Sequence, residues 1–312
     1  MLNGQCNLRG KLRGSIFMKH FARDNESRIA TAVMLWPSVG FLLVLMVVPL
    51  AMTLYFSARS YSLMRAGETR FVGLENYWYL VRDPGFTQAV INTFYILGGV
   101  LAITIIFGTL FAWLYDRDFP GRSAARLLMI APFFVMPTVN ALLWKDLMMH
   151  PIYGFFAAVS RAMGVGAFDW FGRAPLLSII ILLSWQWLPF AFLILVTAMQ
   201  SLNREQLEAA ALDGAGPWQT FWHQILPHLR RPIGVVIMIE AIFLLSVFAE
   251  IFATTGGGPG TATTNLTYLV YSLGLLQFDV GMASAGGIVA VILANIVAYF
   301  LMRSVSDNLR TA

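Results

Sequence analysis

Several polar side chains lie inside long apolar stretches of this sequence, where they could bind a polar solute. Two are acidic, Glu240 and Glu250, and others are amides, with Trp185 and Trp187 on either side of Gln186. A charged side chain at the centre of a bilayer costs about 2.5–3.5 kcal/mol on insertion scales, so such groups face a bundle interior or a cavity. Carboxylates and amides beside an indole ring can bind the hydroxyl groups and the apolar face of a hydroxyl-rich molecule.

The sequence leaves two interpretations of these side chains open. In the first they line a path for a solute, formed by Asn140, Trp185, Gln186, Glu240, Glu250 and Asn295. In the second each is structural, either a hydrogen-bonding partner between helices or a tryptophan in an interfacial belt. Glu240 is the strongest candidate for the path because it lies at the middle of its apolar stretch, whereas Glu250 lies nearer the outer end.

Residues for catalysis or metal binding are missing from the sequence. Hydrolysis of ATP would need a G-x-x-x-x-G-K-[ST] loop, and none of the three lysines, Lys11, Lys19 and Lys145, has that context. The four histidines lack ligand spacing with carboxylates, and the single cysteine, Cys6, forms neither an internal disulfide nor a cysteine cluster. We therefore expect no catalytic residue, metal site or cofactor in this chain, and energy for any active process must come from a partner.

Six apolar stretches must position these residues. Of the 312 residues 58% are hydrophobic and 12% are charged, about half the charged fraction of a soluble domain. A transmembrane helix needs about 20 apolar residues. The predicted spans are residues 31–56, 90–115, 127–149, 176–199, 233–253 and 281–302. The first is too long for a signal-peptide core and lacks a cleavage site, so we expect it to be retained. Pro132, Pro137 and Pro189 predict kinks in the third and fourth spans.

The basic residues predict the orientation of these spans. They lie between the apolar stretches and form no stripe on a soluble surface, which argues against nucleic acid as the partner. Fourteen lysines and arginines lie on the side of the N-terminus and seven on the other. By the positive-inside rule both termini are cytoplasmic. The predicted organisation is a cytoplasmic segment 1–30, a transmembrane domain 31–303 and a cytoplasmic tail 304–312, with the segment 203–232 also cytoplasmic.

Local chemistry predicts two short helices with a turn in the segment 203–232, which we call the elbow. Asn203 is suited to cap the first helix, and Gln206 is placed to return a capping bond. Gly214 and Gly216 offer left-handed positions that stop this helix. Pro217 suits the first position of the second helix, which Leu226-Pro227 would end.

The second predicted helix of the elbow has one apolar face. Its members recur at helical spacing: Trp218, Phe221, Trp222 and Ile225. Such a face can lie on lipid headgroups or dock on another protein. Periodicity leaves both interpretations open.

The elbow resembles a known motif. Glu208-Ala209-Ala210, with Gly214 after three residues and Leu226-Pro227 twelve and thirteen positions later, resembles the EAA loop of binding-protein-dependent ABC importer permeases. The string LDGAGPWQTFWHQILP is similar to the sugar branch, which contains the maltose and glycerol-phosphate permeases. One departure is Gln224, where that family usually has isoleucine. Residues 72–77 and 255–259 resemble the family's FxGLxNY segment and outer GGP loop, and the resemblance covers about residues 30–305.

This resemblance implies an all-α permease of six transmembrane helices, of the type I importer kind, in a bacterial inner membrane. The elbow would then be a coupling helix that docks on a cytoplasmic ATPase through Glu208, Ala209, Ala210, Asp213, Gly214, Pro217, Leu226 and Pro227. The implied partners are a second, homologous permease subunit, two ATPase subunits that bind ATP and Mg, a periplasmic solute-binding protein and the lipid bilayer. The implied cargo is a sugar or polyol, and residues 277–295 look most similar to sorbitol/mannitol permeases.

Other functions stay open at this point. The same machinery could import a different small polar solute, such as a phosphate ester or an opine. A stand-alone secondary carrier or channel is a different class, for which inverted repeats would be expected, and the two halves of the sequence show no convincing repeat. A membrane-embedded enzyme is disfavoured because no catalytic cluster occurs.

Overall fold

Long apolar helices dominate the computed structural model of the chain, which describes residues 33–65, 67 and 69–310. Contacts divide the chain into two units, residues 1–55 and 56–312. The helix α1, Val33–Ser57, accounts for the described part of the first unit and continues two residues into the second. Cys6 and the predicted N-terminal segment lie outside the described residues.

Four of the six predicted spans are single helices close to the predicted bounds. They are α1, then α3 (Pro84–Asp116), α8 (Pro175–Gln200) and α14 (Val280–Arg310), whose apolar part is Val280–Arg303. Asp83 begins α3, because its side chain accepts a hydrogen bond from the Gly85 amide and Pro84 takes the first helical position. Pro189 lies inside α8 without ending it.

The third predicted span is bent far more sharply than a kink. Its parts are α4 (Arg122–Ile130), a 3-10 turn (Ala131–Phe134), α5 (Pro137–Leu142) and a π-helical segment (Leu143–Met148). The two halves meet at 100°. Val135 and Met136 are extended because the residue before Pro137 is excluded from the helical region.

The fifth predicted span is interrupted, so the expectation of a continuous helix over 233–253 is wrong. α11 (Leu226–Leu244) ends before α12 (Ala249–Thr254) begins. The carbonyls freed at the break bind side chains from farther along the chain: the Asn265 amide donates to Val247 (2.6 Å) and the Thr267 hydroxyl to Leu245 (3.2 Å). Among the described residues, four helices are long and apolar enough to cross a membrane, or five if the bent pair is one span.

Short elements connect these helices. The strands β1 (Arg59–Ser60) and β2 (Arg70–Phe71) pair antiparallel. The short helices are α2 (Glu75–Arg82), α6 (Phe155–Ala162), α7 (Trp170–Arg173), α9 (Arg204–Leu212), α10 (Pro217–Thr220) and α13 (Leu266–Tyr271), with π-helical segments at Phe221–Ile225 and Ser272–Leu276.

The core of the second unit forms where α3 packs along α8. Ile96 and Val100 of α3 are buried with Ile179 and Leu182 of α8. At Gly108 the two helices approach so closely that an added Cβ would lie 3.0 Å from the Cβ of Ala191. Small residues allow such approaches between membrane helices, where van der Waals packing replaces the hydrophobic effect. The α3–α8 pair is the frame to which the polar residues and the elbow attach.

Candidate functional site

The first helix of the elbow forms as the sequence predicts. α9 begins at Arg204 because the Asn203 side chain accepts a hydrogen bond from the Glu205 amide at 3.0 Å. The predicted return bond, from the Gln206 side chain to the Asn203 backbone amide, is not formed in this described part of the chain. α9 stops at Gly214, which has φ +83°, a left-handed conformation that favours glycine.

Gly216 does not adopt the predicted left-handed conformation. Its φ is −72° and its ψ is 162°, the extended backbone of a helix N-cap. Its amide donates to the Gln219 side chain at 3.0 Å, which satisfies one of the free amides at the start of α10. The turn of the elbow therefore depends on one left-handed glycine, and Gly216 serves as a cap.

The second helix of the elbow is not short, so the prediction that Leu226-Pro227 ends it is wrong. α10, the π-helical segment Phe221–Ile225 and α11 follow one another without a break, since Thr220 and Ile225 at the two junctions are both helical. Pro227 lacks an amide hydrogen and takes an early position of α11, directly after the widened π turn. One helical rod thus runs from Pro217 to Leu244 and joins the elbow to Glu240.

Most of the residues assigned to coupling are accessible on the elbow. Glu208, Ala209, Asp213, Gly214, Pro217 and Pro227 are exposed, Leu226 is half-buried and Ala210 is buried against the rest of the chain. Leu212 at the end of α9 is 89% exposed. An accessible turn with one buried alanine can receive another protein without rearranging.

Several cavities flank the elbow, and two of them lie against the end of α3. The first, about 570 Å³, lies beside α9 and is lined by Asp116, Arg117, Asp118, Arg122, Met199, Gln200, Leu202, Leu207 and Glu208. The second, about 300 Å³, is mainly apolar and is lined by residues that include Trp113, Ala211, Pro217 and Ile225. Within the described chain, Asp118 forms an ion pair with Arg122, whereas Asp116 and Glu208 have none. The larger cavity is therefore lined by charged side chains of both signs.

The aromatic face of the elbow is only partly free for lipid or another protein. The ring of Phe221 lies 5.0 Å from that of Trp113, near the end of α3, and the ring of Trp218 lies 6.5 Å from it. Trp222 is 49% exposed. The sequence does not single out Trp113 as a functional residue, because a tryptophan near the end of a span is typical of a membrane interface.

Two of the predicted path residues form a hydrogen-bonded pair at the bend of the third span. The Asn140 amide donates to the side-chain oxygen of Gln186 (2.8 Å) and the Gln186 amide donates to the Val135 carbonyl (2.9 Å). Both side chains are buried. Trp185 packs edge-on against Trp144, with ring centroids 5.8 Å apart. The amide pair therefore satisfies a backbone carbonyl that the bend sets free.

Glu240 lies elsewhere in the core and is fully buried. The Thr104 hydroxyl of α3 donates to its Oε2 at 2.7 Å, and its Oε1 has no partner among the described residues. Thr104 gives no signal in the sequence, because a threonine inside an apolar helix usually bonds its own backbone.

The other two predicted path residues lie on α12 and α14. Glu250 is buried on α12. Asn295 lies on an exposed face of α14, where its amide donates to the Val291 carbonyl of the same helix (2.8 Å). The structure thus brings Asn140 and Gln186 together and does not gather all six residues around one point.

The outer GGP loop, which continues beyond residues 255–259 to the start of α13, is hydrogen-bonded to α3. The Asn92 amide of α3 donates to the carbonyls of Thr261 (3.0 Å) and Thr264 (2.9 Å). Gly257 has φ +82°, and a Cβ there would lie 2.6 Å from the Tyr268 ring. Position 257 therefore requires glycine, because the site has no room for a side chain and because its φ is positive. No group of three or more His, Cys, Asp or Glu residues in the described part of the chain is placed to hold a metal ion.

Comparison with known proteins decides the family. The family described as the binding-protein-dependent transport system inner membrane component matches residues 105–311, about two thirds of the chain. The chain belongs to this family. It is a permease subunit of a binding-protein-dependent ABC importer, and the match includes the whole elbow, α8 and α11.

Relatives of this permease align over most of its length. An ABC transporter permease protein of Sinorhizobium fredii is 33% identical over 278 residues, which is 88% of this chain and 88% of that protein. The trehalose/maltose transport system permease protein MalF of Thermococcus litoralis is 30% identical over 266 residues, 84% of this chain and 88% of that one. A chain in the crystal structure of a bacterial ABC transporter involved in alginate import has the same fold, with a TM-score of 0.77 and 21% sequence identity. The match covers 92% of this permease and 99% of that chain.

Proposed function

We propose that this permease forms half of the translocation path for a sugar or sugar alcohol and is driven through its elbow by a cytoplasmic ATPase. The observation that carries this proposal is the continuity of the helical rod from Pro217 to Leu244. A push on the turn at Gly214 is delivered along this rod to the buried core, because a helix transmits a rigid-body motion that a loose loop would absorb.

The proposed assembly has two permease subunits, this one and a homologue, and two ATPase subunits that bind ATP and Mg. A periplasmic binding protein delivers the solute to the outer end, and both termini of this chain lie in the cytoplasm. The exposed turn with Glu208, beside a cavity lined by charged side chains, supports the ATPase as the partner at the elbow. The charge distribution of the sequence supports the orientation.

The proposed cargo rests on chemistry and on relatives. The named relative from Thermococcus litoralis carries trehalose and maltose in its name, and the solved neighbour imports alginate. Asn140, Gln186 and Glu240 supply the amides and the carboxyl that a hydroxyl-rich solute would meet if the helix packing opens during transport. A different small polar solute carried by the same machinery is the alternative.

Co-purification separates this proposal from a stand-alone carrier. A tagged permease extracted in mild detergent should bring down one copy of a second permease and two copies of an ATP-hydrolysing subunit. A stand-alone carrier or channel would be recovered without them, and recovery of the chain alone from the native membrane would reject the proposal.

A further inference from the structure

The rod that carries the elbow has a weak point at its π-helical turn. Residues Phe221–Ile225 form the wider π helix, and α10 before them has only four residues, Pro217–Thr220. Sharp helix kinks often lie at π-bulges, which are also frequent at functional sites. A push at Gly214 would bend the rod at this turn unless the segment before it is held.

Ile225 holds the far end of the π turn. It is 5% exposed and packs in a core with Ala112 of α3, Phe192 of α8 and Leu229 of α11. Residues 217–220 lie on the other side of the turn and do not belong to that core. The elbow proper therefore needs a second attachment.

Trp113 supplies that attachment from α3. Its ring lies 5.0 Å from the Phe221 ring and 6.5 Å from the Trp218 ring, and those two rings stack at 5.6 Å with an angle of 14°. Arg117 directly follows the last residue of α3, and its guanidinium carbon lies 5.7 Å from the centre of the Trp113 ring. Trp113 thus contacts a cation and two stacked rings, at distances typical of attractive aromatic pairs.

We propose that Trp113 is a positioning residue that braces the elbow against α3, so that force at the turn moves α3 and the rod as one body. The inference rests on the proposed function, since it assumes that the ATPase acts at the elbow. It adds a second route for the force: along the rod to Glu240, and sideways through Trp113 into α3 and the α8 helix packed on it. Without the brace, ATPase motion is taken up by bending at Phe221–Ile225.

Spin labels can test the brace in the purified importer complex. Cys6 is the only cysteine, so a Cys6→Ser chain accepts new labels at Asp118→Cys, beyond α3, and at His223→Cys, in the π turn. Pulsed electron-spin distances are then measured before and after trapping with ATP and vanadate. With Trp113 in place we expect one narrow distribution that trapping does not change. In Trp113→Ala we expect the distribution to broaden or shift by several ångströms on trapping.

Matched variants separate bracing from folding and from docking. Tyr95→Ala removes an exposed aromatic ring from the same helix and should behave as the unmutated chain. Trp113→Phe should restore most of the narrow distribution, and Phe221→Ala should reproduce Trp113→Ala, with the double variant no worse than either. If Trp113→Ala does not fold, Phe221→Ala and Trp113→Phe carry the test.

Two results would overturn the inference while leaving the proposed function intact. One is an unchanged, narrow distribution in Trp113→Ala and Phe221→Ala after trapping. The other is loss of the ATPase from Trp113→Ala but not from Tyr95→Ala, because that would place Trp113 in the docking surface itself. Failure of the unmutated chain to bring down any ATPase would instead reject the proposed function.

Discussion

The Thr104 hydroxyl of α3 donates a 2.7 Å hydrogen bond to the carboxyl of Glu240 on α11, and both side chains are fully buried. These residues are 136 positions apart in the chain. The bond ties the helix that carries the elbow to the helix pair at the centre of the fold. It also satisfies one oxygen of an acidic group that has no other side-chain partner in the described part of the protein.

Removing the threonine hydroxyl should destabilise the permease. Thr104→Val leaves the Glu240 carboxyl without its donor, and a buried polar group left unsatisfied costs about 1–3 kcal/mol. Thermal unfolding of the purified complex, followed by tryptophan fluorescence, measures the loss. Thr109→Val is the control, because the Thr109 hydroxyl on the same helix is buried and lacks a partner among the described residues, so its removal should be neutral or stabilising. Equal stability of the two variants would show that the bond to Glu240 contributes nothing.

The close approach of α3 and α8 predicts a strong position dependence for larger side chains. Gly108→Leu forces the helices apart at Ala191, and such overpacking costs about 1–3 kcal/mol. Gly98→Leu adds the same side chain to α3 at an exposed position with no neighbour within 4 Å of its Cβ. We expect Gly98→Leu to express and unfold like the unmutated protein. Comparable loss in both variants would mean that the close approach to Ala191 is not what limits the side chain at position 108.

Two glycines of the elbow make a matched pair. Neither has an atom within 4 Å of an added Cβ, but Gly214 has φ +83° and Gly216 has φ −72°. Gly214→Ser therefore costs about 1–2 kcal/mol of backbone strain. This cost corresponds to about a tenfold smaller population of the elbow conformation with the left-handed turn. Gly216→Ser keeps a good N-cap and should be tolerated. The amount of ATPase recovered with each tagged variant measures the difference, and equal recovery would contradict a role for the turn.

The two interpretations of the buried amides differ in what their removal changes. Gln186→Leu breaks the bonds to Asn140 and to the Val135 carbonyl, so we expect a loss of about 1–3 kcal/mol in the free energy of unfolding. Asn295→Leu should change it by less than about 0.5 kcal/mol, because Asn295 lies on an exposed helix face. Measuring solute uptake beside stability then tests the path. Uptake that falls in Asn295→Leu without any loss of stability would support a contact with solute there, and normal uptake would remove Asn295 from the path.

Much of the fold could be predicted from the sequence where a signal is local. α3, α8 and α14 follow from apolar length, and Asn203, Gly214 and Pro217 act as cap, turn and first helical residue as their types require. The size of the 100° bend could not be predicted, because prolines mark a bend without setting its angle. The break between α11 and α12 contains no proline and depends on Asn265, which lies 18 residues beyond its partner Val247.

The candidate site also divides into residues with a local sequence signal and residues whose role depends on distant contacts. The sequence identifies Glu240 and the elbow, but it does not identify their partners Thr104 and Trp113, whose types are ordinary for the positions that they occupy. The wrong end assigned at Leu226-Pro227 has a related cause. Proline usually stops a helix, but Pro227 takes an early position of α11 directly after a π turn, and the rod continues past it.

A photo-crosslink from the elbow tests whether an ATPase drives this permease. p-Benzoylphenylalanine placed at Leu212, which is 89% exposed at the end of α9, reports what touches the turn in intact cells. The same probe at Thr261 in the outer GGP loop is the control on the opposite side of the proposed topology. We expect the Leu212 probe to give an adduct with an ATP-binding subunit and the Thr261 probe to give none with that subunit. Adducts of the Leu212 probe with lipid alone, or an ATPase adduct from Thr261, would contradict coupling through the elbow.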